Sequence, residues 1–87
     1  MDELKADKNR VGRIVKEAIA NSLDLDLRKI KDDSVLKDDL GMDSFGAVEL
    51  VYELKDKFNI EIPQEDFLKI KTVNDIVDYI ATHLTRS

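Results

Sequence analysis

The sequence has 87 residues, which fits one small domain, and its 43% hydrophobic and 38% charged residues argue against a disordered or repetitive chain. Without cysteine there can be no disulfide, zinc–thiolate site or thiol nucleophile, and no apolar run approaches the roughly 20 residues that span a bilayer. A net charge of −5 argues against nucleic-acid binding, and the charged first residues lack the apolar core of a secretory signal, so we expect a cytoplasmic protein that does not insert into membranes.

The first predicted element is an amphipathic helix over residues 2–22. Apolar residues recur along it at helical spacing, and lysines and arginines occupy the other face. The pattern then breaks over residues 23–41, which predicts a long loop with one helical turn near residues 34–39. We expect the apolar residues of this loop to pack against the core and so hold the loop across it; they are Leu25, Leu27, Ile30, Val35, Leu36 and Leu40.

A second helix is predicted over Ser44–Phe58. Asp43 suits its N-cap, because a carboxylate can accept a hydrogen bond from the first free backbone N–H groups, and Asn59 suits its end. Residues 59–63 alternate between polar and apolar side chains, but an isolated strand without a partner is unstable. We therefore expect an extended linker there.

Two further helices are predicted after the linker. Pro63 suits the first turn of a short helix that runs to about Leu68, with Phe67 and Ile70 facing inward. Thr72 and Asp75 have the spacing of a capping box, and the apolar residues that follow predict a last helix to about His83. Together these elements predict an all-α antiparallel bundle of three longer helices and one short helix. We expect a monomer with a single domain over residues 1–87, frayed at residues 1–3 and 85–87.

The second helix carries two apolar rows at about 100° per residue. The first row predicts a buried stripe and comprises Ala47, Leu50, Val51, Leu54 and Phe58. Phe45, Val48 and Tyr52 form a second row, which points largely away from the core and is edged by Glu49, Glu53 and Asp56. This second row either packs under the loop or the short helix, or it is an exposed docking surface. The angular positions of its residues around the helix favour a docking surface.

Acidic residues are concentrated around the second helix. Residues 38–66 contain nine acidic and two basic residues, a net charge of −7. A local negative field favours a basic partner by raising the encounter rate and by fixing orientation. The alternative is that the acidic residues only keep a small protein soluble.

The stretch GMDSFG places Ser44 at the predicted start of the second helix. A serine nucleophile needs a base, and the single histidine of the chain, His83, is near the C-terminus. Free-standing catalysis is therefore disfavoured, and neither a calcium loop nor a phosphate-binding glycine loop fits the spacing. Two readings stay open: Ser44 is a helix cap, or it is an attachment site for an anionic group that the helix N-terminus tolerates.

The segments DDLGMDSFGAVELVYELKDKFNIEIP and KTVNDIVDYI resemble the acyl carrier protein family over roughly residues 11–84. The resemblance implies that 4′-phosphopantetheine, transferred from coenzyme A by a phosphopantetheinyl transferase (holo-acyl-carrier-protein synthase), is attached to Ser44. The arm would carry acyl groups as thioesters and present them to acyl-transferring and chain-elongating enzymes of fatty-acid, specialised lipid or polyketide biosynthesis. The chain itself would not be an enzyme and would hold no metal.

The resemblance also implies two further sets of residues. Partner enzymes with basic patches would dock on Asp43, Phe45, Val48, Glu49, Tyr52, Glu53 and Asp56. The acyl chain would withdraw between the helices into a space lined by Val48, Leu50, Leu54 and Ile62.

Two positions depart from the family pattern. Phe45 replaces the usual leucine after the serine, and Gly46 replaces a residue that is often acidic. We expect the aromatic ring and the lost carboxylate to alter partner choice, and we expect Gly46 to loosen the first turn by up to about 1 kcal/mol. The hypothesis is a stand-alone carrier for a dedicated lipid or secondary-metabolite pathway. An aminoacyl or peptidyl carrier, an unmodified helical adaptor, and a hydrolase that uses Ser44 remain alternatives.

Overall fold

A computed structural model describes residues 8–86 of the chain. Four α-helices lie within this range: α1 (Lys8–Leu23), α2 (Ser44–Phe58), α3 (Gln64–Phe67) and α4 (Val73–Arg86). A 3₁₀ turn (Leu27–Lys29) interrupts the long loop between α1 and α2. The predicted bundle of three longer helices and one short helix is confirmed. Residues 2–7 of the first predicted helix and the predicted frayed end at residues 1–3 lie outside the described residues. Of the predicted frayed end at residues 85–87, residue 87 lies outside them, and residues 85–86 belong to α4.

The core forms where α1 packs against both α2 and α4. Apolar residues at helical spacing give each long helix one buried face, and burial of such faces is what stabilises a bundle of this size. The side chains at the centre have no more than 2% of their surface exposed; they are Val11, Val15, Ile19, Leu36, Leu50, Leu54, Val73, Ile76 and Ile80.

The boundaries of α2 match the prediction at both ends. Asp43 is the N-cap, and its Oδ1 accepts a hydrogen bond from the backbone N–H of Gly46 at 2.8 Å. Asn59 ends the helix in the left-handed conformation, with φ of 55°, and its N–H donates to the carbonyl of Lys55 at 2.8 Å. Asparagine tolerates this conformation better than most residues, so it suits a helix end.

The long loop is joined to the start of α4 by backbone hydrogen bonds. Leu36 N–H donates to the Lys71 carbonyl at 2.9 Å, Val73 N–H to the Ser34 carbonyl at 3.1 Å, and Asn74 N–H to the Asp32 carbonyl at 2.8 Å. Ile30, Leu36 and Leu40 are buried as predicted. The prediction was wrong for Leu27, which is 43% exposed because it lies in the 3₁₀ turn outside the core.

The helical turn predicted near residues 34–39 forms only as hydrogen-bonded turns. Asp39 N–H donates to the Val35 carbonyl at 2.8 Å and Gly41 N–H to the Lys37 carbonyl at 3.1 Å, but no helix continues from them. The sequence did not predict the 3₁₀ turn, which Asp26 caps by accepting the N–H of Arg28 at 2.9 Å. Residues 59–63 form neither helix nor strand, as expected for a linker, although Asn59 is left-handed rather than extended, and α3 begins one residue after Pro63.

The predicted capping box at the start of α4 is present. Thr72 Oγ1 accepts the N–H of Asp75 at 3.1 Å, and Asp75 Oδ2 accepts the N–H groups of Thr72 at 3.1 Å and Lys71 at 3.0 Å. The helix continues to Arg86, beyond the predicted end at His83. The hydrogen bonds from the Lys71 and Thr72 backbone lower the pKa of Asp75 from its usual value of 3.8.

We expect this capping box to lose its stabilising effect in acid. Because the pKa of Asp75 is lowered in the folded state, its contribution is present above a pH of about 4 and is lost as the pH falls through the folded-state pKa. Thermal unfolding midpoints of the unchanged protein and of Asp75→Asn, measured from neutral pH downwards, should therefore converge in acid. A constant difference between the two proteins across this range would contradict the assignment.

A second polar contact joins α3 to α4. The Tyr79 hydroxyl donates to Oδ2 of Asp66 at 2.8 Å, and the Tyr79 ring stacks on His83 with centroids 4.1 Å apart. Burial, followed by the hydrogen bond to Asp66 and its negative charge, raises the pKa of Tyr79 to about 12.

This contact predicts a loss of stability at alkaline pH. The folded state favours the protonated phenol, so the contribution of Tyr79 is complete below its unfolded-state pKa of about 10 and is lost as the pH rises through about 12. Tyr79→Phe should lower the free energy of unfolding by about 1 kcal/mol at neutral pH and should show a shallower alkaline decline. Chemical denaturation at a series of pH values measures the free energy of unfolding and its decline with pH. Lysine deprotonation affects both proteins equally, so it does not change the difference between them. Equal alkaline slopes would rule out the role of this hydrogen bond.

Candidate functional site

Ser44 is the first residue of α2, and its side chain is exposed. The cap is supplied by Asp43, and within the described residues Ser44 itself makes no side-chain hydrogen bond. Its hydroxyl is therefore accessible at a helix N-terminus, where free N–H groups and the helix dipole favour a negative charge. Of the two readings left open by the sequence, the cap belongs to Asp43, and attachment at Ser44 stays a prediction.

His83 does not lie near Ser44. It is on α4 in a shallow pocket with Phe58 and Asn59, at the C-terminal end of α2. At a rise of about 1.5 Å per residue, the two ends of α2 are about 20 Å apart. His83 Nδ1 is 2.9 Å from the Tyr79 carbonyl, so its ring is held on its own helix. The structure thus gives Ser44 no histidine base.

The second apolar row of α2 is exposed. Phe45 is 80% exposed, Val48 57% and Tyr52 69%, so neither the loop nor α3 covers them. Beside them, Glu49 and Asp56 are exposed, whereas Glu53 is half-buried and lies 4.0 Å from the Lys57 ammonium. We call this surface the docking row: Asp43, Phe45, Val48, Glu49, Tyr52, Glu53 and Asp56.

The two lysines near the end of α2 are partly neutralised by glutamates. Lys57 pairs with Glu53 at 4.0 Å and Lys55 pairs with Glu61 at 3.4 Å. Exposed pairs of this kind contribute little to stability. The two pairs instead shape the electrostatic potential at the surface. They leave the unpaired negative charge of α2 on its first two turns and on Asp56.

A groove with a volume of about 720 Å³ opens between α2, residues 35–38 and residues 62–71, and Ser44 lies on its lining. Val48 and Ile62 line it, as expected for the acyl space. Leu50 and Leu54 do not line it, and both are fully buried in the core. The remaining apolar lining is Val35, Leu36, Met42, Ala47, Val51, Tyr52, Phe67, Leu68 and Ile70.

Sequence reasoning missed Leu68 and the lysines of this groove. Leu68 is 72% exposed and lines the groove together with Val48 and Tyr52. The helical wheel of α3 could have indicated it, since Phe67 is buried and the next residue is turned by about 100°. No sequence signal predicts that Lys37 and Lys71 lie on one groove, because their proximity depends on pairing between distant segments.

Gly46 has a packing role that the sequence did not show. It is buried, and a Cβ atom placed on it would lie 2.5 Å from Cδ2 of Leu23 and 3.4 Å from Oδ1 of Asp43. A carboxylate there would start from the α1 side of the helix and not from the docking row. The expectation that the missing acid alters partner contacts is therefore not supported by this placement, and Leu23 fills the space instead.

No helix within residues 8–86 is both long enough and apolar enough to cross a membrane. The described part of the chain also contains no group of three or more acidic or histidine side chains placed to hold a metal ion.

Three comparisons with known proteins agree with this geometry. A family model described as a phosphopantetheine attachment site matches residues 13–80. The chain is 46% identical over 69 residues to an acyl carrier protein of Wolinella succinogenes, which covers 79% of this chain and 91% of that protein. It is 45% identical over 69 residues to an acyl carrier protein of Clostridium acetobutylicum, with 79% and 90% covered.

The fold is also similar to a solved structure described as an acyl carrier protein from Mycobacterium tuberculosis. The TM-score is 0.77 at 37% identity, and the match covers 84% of this chain and 97% of the other. The similarity therefore extends over most of the chain.

Proposed function

The chain belongs to the acyl carrier protein family, and from this premise we propose that Ser44 is the residue to which the prosthetic group is attached. Members of this family are carriers and not enzymes; they hold acyl groups on 4′-phosphopantetheine and work with a synthase that installs it and with biosynthetic enzymes. The observation that carries the proposal is the exposed Ser44 hydroxyl, which makes no hydrogen bond within the described residues because Asp43 provides the cap.

The residues around Ser44 fit the group in three respects. The hydroxyl stands at the N-terminus of a 15-residue helix, which favours a phosphodiester charge. Ser44 and two residues of the preceding loop, Gly41 and Asp43, are exposed, so the hydroxyl is open to solvent. The groove beside Ser44 offers an apolar lining to a carried chain.

Attachment needs only an acceptor oxygen from this chain. The bond from Ser44 Oγ to phosphorus forms as the pyrophosphate bond of coenzyme A breaks, adenosine 3′,5′-bisphosphate leaves, and the hydroxyl proton passes to a base of the transferase. When attached, the arm supplies a thiol that holds acyl groups as thioesters. The described chain contributes no cysteine that could compete with it.

The docking row is the proposed surface for partner enzymes with basic patches. Its apolar side chains supply surface area that is buried when a partner binds, and its carboxylates supply negative charge that steers the encounter. Three exposed side chains, Phe45, Val48 and Tyr52, support this use, since large exposed apolar groups in one row on a small protein commonly mark an interaction surface.

For the cargo and the pathway we propose a class of compound and a class of pathway. The relatives are named acyl carrier proteins, which favours an acyl cargo over an aminoacyl or peptidyl one. Phe45 beside the attachment site, in place of the usual leucine, supports a carrier dedicated to a specialised lipid or polyketide pathway rather than to general fatty-acid synthesis. We propose that this monomer works in the cytoplasm.

The test of attachment is the intact mass after incubation with coenzyme A and a promiscuous phosphopantetheinyl transferase. We expect a gain equal to one phosphopantetheinyl group, located by peptide mapping on Ser44. No gain would favour the unmodified helical adaptor, and a gain mapped to another serine would reject Ser44.

A further inference from the structure

The groove beside Ser44 has a positively charged wall in a region of the chain that is otherwise acidic. Residues 38–66 carry a net charge of −7, yet the groove lining contains three lysines, Lys37, Lys55 and Lys71, against two carboxylates, Asp38 and Asp43. One of these carboxylates, that of Asp43, already accepts the Gly46 N–H at 2.8 Å. With Lys55 paired to Glu61 at 3.4 Å, the two other lysines balance the two carboxylates of the lining, whereas the surrounding sequence is strongly acidic.

Lys37 and Lys71 are brought together by the fold. Leu36 N–H donates to the Lys71 carbonyl at 2.9 Å, and Val35 forms an isolated bridge with Thr72, so the two lysines stand on adjoining backbone segments. Both are exposed and line the groove, and neither forms an ion pair within residues 8–86. Lys71 has a longer-range interaction with Asp75, whose carboxylate is occupied by two backbone N–H groups.

Lys55 differs from these two lysines. It lies on α2 and its ammonium is 3.4 Å from a Glu61 carboxylate oxygen, so much of its charge is compensated. The positive charge available to a ligand is therefore concentrated on the segment pair that carries Lys37 and Lys71. The lining near these lysines includes the apolar side chains of Leu36, Phe67 and Ile70 and the exposed carboxylate of Asp38.

We propose that the groove takes an acyl chain that ends in a carboxylate, with its methylene chain on the apolar lining and its free carboxylate between Lys37 and Lys71. The inference rests on attachment at Ser44, since the arm delivers the chain to the groove. A cargo with a plain alkyl end would leave both exposed ammonium groups to water, whereas a dicarboxylic cargo adds charge-assisted hydrogen bonds with them. The volume of about 720 Å³ lies in the usual range for small-molecule sites.

The test compares two cargoes that have the same number of carbons. Suberyl and octanoyl groups are attached to the holo protein as hydrolysis-resistant amide analogues, and complete loading is checked by intact mass before thermal unfolding. We expect the suberyl form to unfold about 2–4 °C higher at low salt, because one carboxylate gains two partly exposed lysine partners. The difference should shrink at high salt, where exposed charges are screened.

The variants separate the proposed site from general charge effects. Lys37→Gln combined with Lys71→Gln should abolish the suberyl advantage, whereas Lys69→Gln, an exposed lysine of the same segment that does not line the groove, should preserve it. Unfolding of the unloaded proteins shows whether the substitutions themselves change stability. Amide chemical shifts of residues 35–37 and 70–71 provide a second readout.

Four results would overturn the inference. Equal midpoints for the two cargoes would show that the terminal carboxylate finds no partner, and an advantage retained in the double variant would place that partner elsewhere. A ³¹P resonance of the unloaded holo arm that moves in the double variant, with no dependence on cargo, would assign the lysines to the phosphodiester of the arm. Failure to load Ser44 at all would reject attachment together with the inference, and the intact mass identifies that case.

Discussion

Ser44→Ala is expected to abolish loading by a phosphopantetheinyl transferase and to leave the fold intact. The substitution removes the acceptor oxygen, and no neighbouring side chain of α2 offers another hydroxyl until Tyr52. The cap at the start of α2 stays in place because it is the Asp43 carboxylate that accepts the Gly46 N–H. The free energy of unfolding should therefore change by no more than about 0.5 kcal/mol. Intact mass measures the first effect and urea denaturation the second.

Ser22→Ala is the matched control for this experiment. Ser22 lies on α1, and its buried Oγ has no hydrogen-bond partner within the described structure, so its removal leaves no other group unpaired. This variant should gain the full mass of one prosthetic group. Loading of Ser44→Ala at an undiminished level would disprove attachment there, and a large loss of stability in that variant would mean that Ser44 also supports the cap.

Phe45→Ala and Glu49→Lys are expected to weaken partner kinetics in different ways. Phe45 is 80% exposed and sits next to Ser44, so its loss removes apolar contact area and should lower kcat/KM with a partner enzyme about tenfold. Glu49 is an exposed charge on the docking row, so its reversal should slow association and weaken the salt dependence of that rate. Stopped-flow association at several salt concentrations, with helicity checked by circular dichroism, separates the two effects.

Matched variants away from α2 test whether partner kinetics depend on where a side chain is changed or only on the type of change. Glu17→Lys changes the net charge by the same amount on an exposed position of α1, and Leu27→Ala shortens an apolar side chain that is 43% exposed in the loop. Both should leave partner kinetics nearly unchanged. If Glu17→Lys slows association as much as Glu49→Lys does, the total charge of the protein governs the encounter and the docking row does not.

Features that depend on neighbouring residues were predicted well from the sequence. The ends of α2 follow from Asp43 and Asn59, and the capping box of α4 follows from Thr72 and Asp75, because each of these contacts spans at most four residues. The exposure of Phe45 followed from helical periodicity together with the small size of the core. The same reasoning singled out Ser44, and the comparisons with relatives confirm the family.

Features that depend on distant segments were not predicted. The lysines of the groove meet through the pairing of Leu36 with Lys71, and nothing in either segment alone indicates that contact. Gly46 was interpreted as a weak point of α2, but its missing side chain is matched by Leu23 at the end of α1. The resemblance implied that Leu50 and Leu54 line the acyl space. Both are buried in the core and do not line the open groove, so their contact with a carried chain stays a prediction.

If the groove takes the carried chain as proposed, we expect the short helix α3 to set how much chain it can accept. It has only four residues, and it is held by the buried ring of Phe67 and by the hydrogen bond from Tyr79 to Asp66 at 2.8 Å. The opposite wall is fixed by backbone hydrogen bonds between the loop and the start of α4. Local opening costs least where few contacts hold a segment, so the groove should widen by outward movement of α3 while the three long helices stay packed. The maximum cargo length is then governed by the stability of a single helical turn, and not by the volume of the groove at rest.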